Sequence, residues 1–216
     1  MEGGFRMKVQ ERYFLRFILS FFVATVLFSL IFLSAYSVSY LNYQNIQSKN
    51  KLIQESLTRL DQIIESQSCD DEILFESSET LDRVGSQLNL LENRFGKDDF
   101  RVLEQKKIYS DLEYKHLQII KNFNGNCNKS FQPIIFFYSN LGEKQDESEN
   151  MGSILTTFKR RNPEIMVYSF DFNLEYETVD KLKNFYKVTD SPIIVIGEKQ
   201  TVYIRNIDQL EEMTLL

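Results

Sequence analysis

The sequence predicts a membrane-anchored protein with an α+β or α/β fold, in which one transmembrane helix precedes a helical region and a C-terminal α/β domain. Three observations support this class. A charge-free apolar run lies near the N-terminus, three helical patterns of similar length follow it, and short apolar strands then alternate with helices. The predicted divisions are residues 1–16, 17–41, 42–127 and 132–216.

The composition is that of a foldable, acidic chain. Of its 216 residues, 43% are hydrophobic and 26% are charged, so wholesale disorder is not expected. The formal net charge is −6, and no basic stripe appears outside the extreme N-terminus, which argues against a nucleic-acid partner. Two cysteines permit a single disulfide bond.

Residues 17–41 are predicted to cross the lipid bilayer as an uncleaved helix. The segment has no charged residue and no polar face. At a rise of 1.5 Å per residue it covers about 37 Å, more than the hydrocarbon core of about 30 Å. A cleavable signal peptide is the alternative, but its apolar region is shorter. Tyr36, Tyr40 and Tyr43 suit a membrane–water interface, which favours the anchor.

The distribution of basic residues predicts the orientation in the plasma membrane. Residues 1–16 contain four of them (Arg6, Lys8, Arg12 and Arg16), whereas the far side offers only Lys49 and Lys51 over a similar span. Basic flanks are retained in the cytoplasm. We therefore expect a single-pass protein with a cytoplasmic N-terminus and residues 42–216 outside the cytoplasm.

A heptad pattern continues beyond the membrane segment. Apolar residues with one asparagine recur at spacings of three and four (Ile46, Asn50, Ile53, Leu57, Leu60 and Ile64). Two interpretations remain open. The pattern could pack within the chain as the first helix of a three-helix stalk, or it could form a homodimer through Ile46, Ile53, Leu57, Leu60 and Ile64.

Two further helices are predicted at residues 70–95 and 98–123. Asp70 is placed to cap the N-terminus of the first of these and Asp98 and Asp99 that of the second, and Gly96 and Gly125 are placed to end them. Each carries an apolar face: Leu81, Val84, Leu88, Leu91 and Phe95 in one, and Val102, Tyr109, Leu112, His116, Ile119 and Phe123 in the other. A short connection between equal helices predicts an antiparallel hairpin.

The two cysteines lie at the open end of this hairpin. Cys69 precedes the second helix and Cys127 follows the third, so an antiparallel arrangement brings them together. A structural disulfide is the preferred interpretation. The alternative is a reactive pair that exchanges disulfides with a partner, but the acidic residues after Cys69 would raise its thiol pKa. The sole histidine lies mid-helix, which leaves little basis for a metal site.

The C-terminal third is predicted to alternate strands with helices. Strands are expected at residues 133–138, 165–172, 192–196 and 201–205, and helices at 147–161, 176–186 and 207–215. This order, together with residues 185–196 (FYKVTDSPIIVI), resembles the thioredoxin-fold family around its cis-proline. The resemblance implies a cis Ser191–Pro192 bond and a thioredoxin-like domain.

The chain departs from that family where its chemistry resides. The family's Cys-x-x-Cys motif would fall in residues 139–148 (SNLGEKQDES), which contain no cysteine. Without a thiolate nucleophile the usual disulfide exchange is not implied. What the resemblance still implies is a groove for an extended peptide between this loop and residues 191–192, with Leu141, Ser191 and Pro192 as candidate binding residues.

These observations predict a non-enzymatic binding or scaffolding protein with no cofactor and no catalytic or metal-binding residues. Its protein partner is not identifiable from the sequence. The alternative is a thiol-disulfide oxidoreductase, or its accessory, that uses Cys69 and Cys127. A third hypothesis is an envelope-assembly protein that resembles the short coiled-coil subunits of the bacterial division apparatus, on the basis of an anchor followed by a coiled coil.

Overall fold

The structure is a computed structural model that describes residues 3–66, 68–197 and 200–214. Its side chains are described for residues 14, 16–37, 55, 57–66, 68–197 and 201–214. The chain divides into two compact units, residues 1–52 and residues 53–216. The described part is mostly helical and contains one four-stranded mixed sheet.

The first unit consists of helix. Helix α1 runs from Gly3 to Ser66, and its first part belongs to this unit. Within it, Arg16–Ser37 is long and apolar enough to span a membrane, with 22 residues and a mean hydropathy of 2.5. Its apolar side chains are exposed along this stretch. A helix near the N-terminus that is long and apolar enough to span a membrane is therefore present, as the sequence predicts.

Several predictions about α1 lie outside the described side chains. They concern the flanking basic residues Arg6, Lys8, Arg12, Lys49 and Lys51, the aromatic residues Tyr40 and Tyr43, and the apolar residues Ile46 and Ile53.

The second unit contains the remaining elements. After the end of α1, the helices are α2 (Asp71–Phe95), α3 (Phe100–Asn126), α4 (Lys144–Arg161), α5 (Glu177–Tyr186) and α6 (Ile207–Thr214). The strands are β1 (Gln132–Tyr138), β2 (Ile165–Asp171), β3 (Ile193–Ile196) and β4 (Gln200–Val202). Each agrees with a predicted element to within a few residues, because apolar periodicity and capping residues are local signals.

The four strands form one mixed sheet in the order β2-β1-β3-β4. β1 and β2 are parallel, with Ile134 opposite Val167, whereas β3 runs antiparallel to β1, with Phe136 opposite Ile194. β4 pairs antiparallel with β3. The carboxyl ends of β1 and β2 therefore lie at the same edge of the sheet, where the loops that follow them meet.

Alternate residues of each strand point to opposite faces, and each face has its own core. Ile134 and Phe136 pack with α4 and α6, whereas Ile135 and Phe137 pack with α3 and α5. Both cores are built mainly from buried aliphatic and aromatic side chains. The sheet is thus the middle layer of three, which explains why β1 is apolar at every position from Ile134 to Phe137.

The helical hairpin lies on this sheet and does not stand apart from it as a stalk. α3 packs against α2 on one side and against β2 and α5 on the other. Its predicted apolar face is buried except for the half-buried Tyr109, and a second stripe (Lys106, Ser110, Glu113, Leu117 and Ile120) is buried too. One face of α3 packs against α2 and another packs against the sheet, so the hairpin and the sheet share a single core.

The end of α1 joins the same core. Leu57 and Leu60 are buried in it, and Ile63 and Ile64 pack against it. Three residues of the predicted dimer seam, Leu57, Leu60 and Ile64, are therefore already packed within their own chain. A homodimer through these side chains would have to displace that packing.

The helix ends agree with the predictions at three of four positions. Asp70 accepts a hydrogen bond from the N–H of Glu72, Asp99 accepts one from the N–H of Arg101, and α2 ends before Gly96 at φ +88°. The prediction for Gly125 is wrong. α3 continues to Asn126, and the N–H of Cys127 closes its last turn on the carbonyl of Phe123.

The two residue-level geometries predicted from the sequence are present. Cys69 and Cys127 form a disulfide with 5.4 Å between their Cα atoms, and the Ser191–Pro192 peptide bond is cis. The disulfide links residues separated by 58 positions at the open end of the α2–α3 hairpin. It therefore ties the hairpin's two outer ends together.

Candidate functional site

A buried ion pair lies where the hairpin meets the carboxyl end of β2. The Nζ atom of Lys106 in α3 is 2.7 Å from Oδ2 of Asp171, and both side chains are almost fully buried, at 2% and 7% exposure. Lys106 also lies 3.4 Å from Oε1 of Glu92 in α2 and donates to the carbonyl of Lys97. A single ammonium group thus connects α2, the α2–α3 turn, α3 and the sheet.

The same carboxylate holds the loops beyond β1 and β2. The side-chain amide of Asn140 donates to Oδ2 of Asp171 over 3.1 Å, and Oδ1 of Asp171 accepts the N–H of Asn173. The Ser139 hydroxyl donates to Oδ1 of Asn173 over 2.6 Å, which joins one loop to the other. These contacts give the two loops a defined position relative to the hairpin.

A cleft of about 400 Å³ opens above this cluster. We call it the carboxyl-end cleft. Its walls are the start of α3, the loop after β1 and the loop after β2. Its lining residues include Asp98, Phe100, Leu103, Leu141, Leu174 and Glu175. Ligand sites in open α/β sheets lie outside the carboxyl ends of strands, and this cleft lies at that position.

Two large apolar side chains of the cleft are exposed. Phe100 is 72% exposed and Leu141 is 51% exposed, although Leu174 nearby is buried. The arrangement leaves apolar surface at a concave place between three elements. Such surface, when it is clustered and rimmed by polar groups, marks interaction sites. The cleft therefore suits an apolar side chain of a partner.

The predicted groove residues occupy different environments. Leu141 lines the carboxyl-end cleft, whereas Ser191 and Pro192 are buried at the start of β3 and are not among the described residues that line it. The two segments are connected by an ion pair of 3.5 Å between Lys144 at the start of α4 and Asp190. Phe100 and the loop after β2 form the wall that the sequence did not indicate.

A second cavity, of about 430 Å³, lies between α2 and α4. Tyr109, Phe136 and Tyr138 are among its lining residues, and a Lys97–Glu149 ion pair of 2.8 Å connects the α2–α3 turn to α4 beside it. Burial, and secondarily the charge of Asp171, raises the pKa of Tyr138 well above its usual value. The described residues that line this second cavity include no exposed large apolar side chain, unlike those of the carboxyl-end cleft.

A buried polar network joins α3 to strand β2. Oε1 of Glu113 accepts the N–H of Ser169 over 2.7 Å, which occupies a donor of this edge strand. The ring nitrogens of His116 lie 2.8 Å from the Tyr168 hydroxyl and 2.9 Å from the Ser78 hydroxyl. Burial raises the pKa of Glu113 well above its usual range and lowers the pKa of His116 to about 4.

The disulfide lies far from the cleft. Phe100 begins α3 at the closed end of the hairpin, and Cys127 follows α3 at the open end. A helix of this length, 27 residues, extends about 40 Å at a rise of 1.5 Å per residue. Cys69 is exposed and Cys127 is half-buried. The disulfide and the cleft are therefore separate features.

Apart from Leu141, the residues that hold or line this site were not indicated by the sequence, because their signal is tertiary. Lys106 and Asp171 are ordinary charged residues until α3 is known to lie over the end of β2. In the sequence, Phe100 resembles a core residue at the start of a helix.

The described residues contain no cluster of three or more His, Cys, Asp or Glu side chains placed to bind a metal ion. No known family model and no curated protein matches this chain.

We expect Lys106→Met to destabilise the folded unit by about 3–5 kcal/mol, because the change leaves the buried carboxylate of Asp171 without its partner. Urea unfolding of the full chain in a mild detergent, followed by circular dichroism, measures this change in the free energy of unfolding.

The neighbouring residue provides a matched control. Lys107 pairs with Glu104 at 2.6 Å, but both side chains are partly or largely exposed, at 33% and 64%. Lys107→Met should therefore change the free energy of unfolding by at most about 1 kcal/mol. Equal effects of the two substitutions would contradict the assigned role of Lys106.

His116 should make stability depend on pH. Its folded-state pKa of about 4 lies below the ordinary value of 6.5, so the unfolded chain takes up a proton first as the pH falls. Stability that is fully present above pH 6.5 is then lost down to about pH 4. The full shift corresponds to roughly 3 kcal/mol.

The test compares urea unfolding of the wild type and His116→Gln across this pH range. The free energy of unfolding of the wild type should fall more steeply than that of the variant. Glu113, whose pKa is raised, contributes in the opposite direction in both proteins, because its stabilisation is lost as the pH rises. Parallel profiles would show that His116 carries no such linkage.

Proposed function

We propose that this protein is a single-pass membrane protein whose extracytoplasmic part is a thioredoxin-like domain with an added helical hairpin, and that it binds a protein or peptide segment at the carboxyl-end cleft. The proposal describes a redox-inactive binding or scaffolding module. The observation that carries it is the pair of exposed apolar side chains, Phe100 and Leu141, at a cleft built by three elements.

The sheet supports the thioredoxin-like assignment. The strand order β2-β1-β3-β4, a parallel β1–β2 pair and two antiparallel pairs correspond to the arrangement expected of that fold. α4 and α6 cover one face and α5 covers the other. The cis Ser191–Pro192 bond stands at the start of β3, as the resemblance implies.

The placement outside the cytoplasm rests on two features. Basic residues are concentrated before the candidate span, and the disulfide suits an oxidising compartment. A thiol-reactive, membrane-impermeant reagent tests this orientation with a cysteine introduced at the exposed Ser153. Protection of that cysteine in intact cells would refute the orientation.

An oxidoreductase that uses Cys69 and Cys127 has weaker support. Cys69 is exposed, which allows a partner thiol to reach the bond. However, the two cysteines lie at the end of the hairpin opposite the cleft, and the loop that follows β1 carries no cysteine.

The envelope-assembly hypothesis requires a coiled-coil seam that is free to bind a partner. Leu57 and Leu60 of that seam are packed in the core of their own chain.

The binding proposal predicts that partner capture depends on the cleft. Leu141→Ala and Phe100→Ala should each reduce the yield of a cross-linked partner at least severalfold, because exposed apolar anchors contribute most to such contacts. The measurement is in-cell cross-linking through a photoreactive residue placed at Lys107, which also lines the cleft, with quantification of the captured species.

Matched controls come from the outer surface of α2. Phe75 is 71% exposed and Leu90 is 70% exposed, and neither is among the residues that line the cleft. Phe75→Ala and Leu90→Ala should leave capture unchanged. If all four substitutions had the same effect, or none had any, the cleft would not be the binding site.

A further inference from the structure

We infer that the carboxyl-end cleft selects an extended segment that carries an apolar residue flanked by lysine or arginine. This inference rests on the proposed function and adds the chemical class of the ligand. The charges around the cleft carry it, because two of the four lining carboxylates have no cationic partner among the described contacts.

The cleft is lined by more acidic than basic groups. Four carboxylates (Asp98, Glu104, Asp171 and Glu175) and one ammonium group, that of Lys107, are among its lining residues. Two of these carboxylates are already neutralised, since Asp171 pairs with Lys106 and Glu104 pairs with Lys107. Lys107 is thus already paired with Glu104, a carboxylate that lines the same cleft.

The other two lining carboxylates belong to Asp98 and Glu175. Both are exposed, and the described contacts give neither a cationic partner. Arg101, the next cation along α3, is held by two hydrogen bonds to Asp99 and lies over the Phe95 ring. The rim of the cleft therefore presents two unneutralised negative charges, one on the hairpin side and one on the loop after β2.

Apolar side chains line the same cleft as these charges. Phe100 and Leu141 are exposed, and Leu103 and Leu174 complete the apolar lining. A segment with an apolar side chain at its centre and a cation on either side matches this combination of apolar and acidic groups. An acidic segment would place like charges against Asp98 and Glu175, which lowers affinity and slows association.

The test uses the full chain in zwitterionic nanodiscs and three labelled nine-residue peptides. All have a central leucine in a glycine–serine background, and the residues on either side are two lysines, two glutamines or two glutamates. Fluorescence anisotropy gives the affinities. We expect the lysine peptide to bind about tenfold more tightly than the glutamate peptide at an ionic strength of about 0.05 M, and the difference to shrink at about 0.5 M.

Charge-neutral variants assign the effect to the rim. Asp98→Asn combined with Glu175→Gln should weaken binding of the lysine peptide about fivefold or more and leave the glutamine peptide unchanged. Asp208→Asn combined with Glu212→Gln makes the same change in net charge at exposed positions of α6. This control pair should retain the affinity for the lysine peptide.

The outcomes separate this inference from the proposed function. If Leu141→Ala and Phe100→Ala abolish binding while the three peptides bind equally, the cleft is the binding site but the inference is wrong. If the control pair and the rim pair weaken binding equally, the preference reflects only the net charge, and the inference is also wrong. If no peptide binds and the apolar substitutions do not affect partner capture, both fail.

Discussion

The ion pair between Lys106 and Asp171 is the contact on which the arrangement of the site depends. An ammonium group this deeply buried is tolerated because a carboxylate lies 2.7 Å away and further acceptors surround it. It fixes the turn of the hairpin above the end of β2, and Asp171 in turn orients Asn140 and Asn173. The cleft exists because these loops and the start of α3 are held around one charge cluster.

The hairpin covers an edge strand of the sheet. A small α/β layer of this kind leaves strand β2 at an edge, and here α3 covers it, with Glu113 accepting the N–H of Ser169. α3 is buried on two sides for this reason, and the disulfide closes the hairpin at its far end. The hairpin is part of the domain that forms the carboxyl-end cleft, since it contributes Phe100 to that cleft.

The elements were predictable from the sequence, whereas their assembly was not. Asp70 and Asp99 mark helix starts, and Gly96 marks a helix end, because these effects act over one turn. The apolar face of α3 did not indicate what would cover it, so the hairpin was expected to stand apart. Lys106 and Glu113 gave no signal, since a charged residue is ordinarily solvated. Leu141 was placed in the predicted groove by resemblance, but Phe100 required the fold.

The central claim is that the hairpin and the sheet form one cooperative unit, and native-state hydrogen exchange of the full chain in nanodiscs tests it most directly. The slowest amides of α2 and α3 should show the same opening free energy as those of β1 and β3, because all belong to one core. They should also lose protection together as urea is added. A hairpin that exchanges through its own opening of lower free energy, while the sheet stays protected, would contradict the claim and restore the separate stalk.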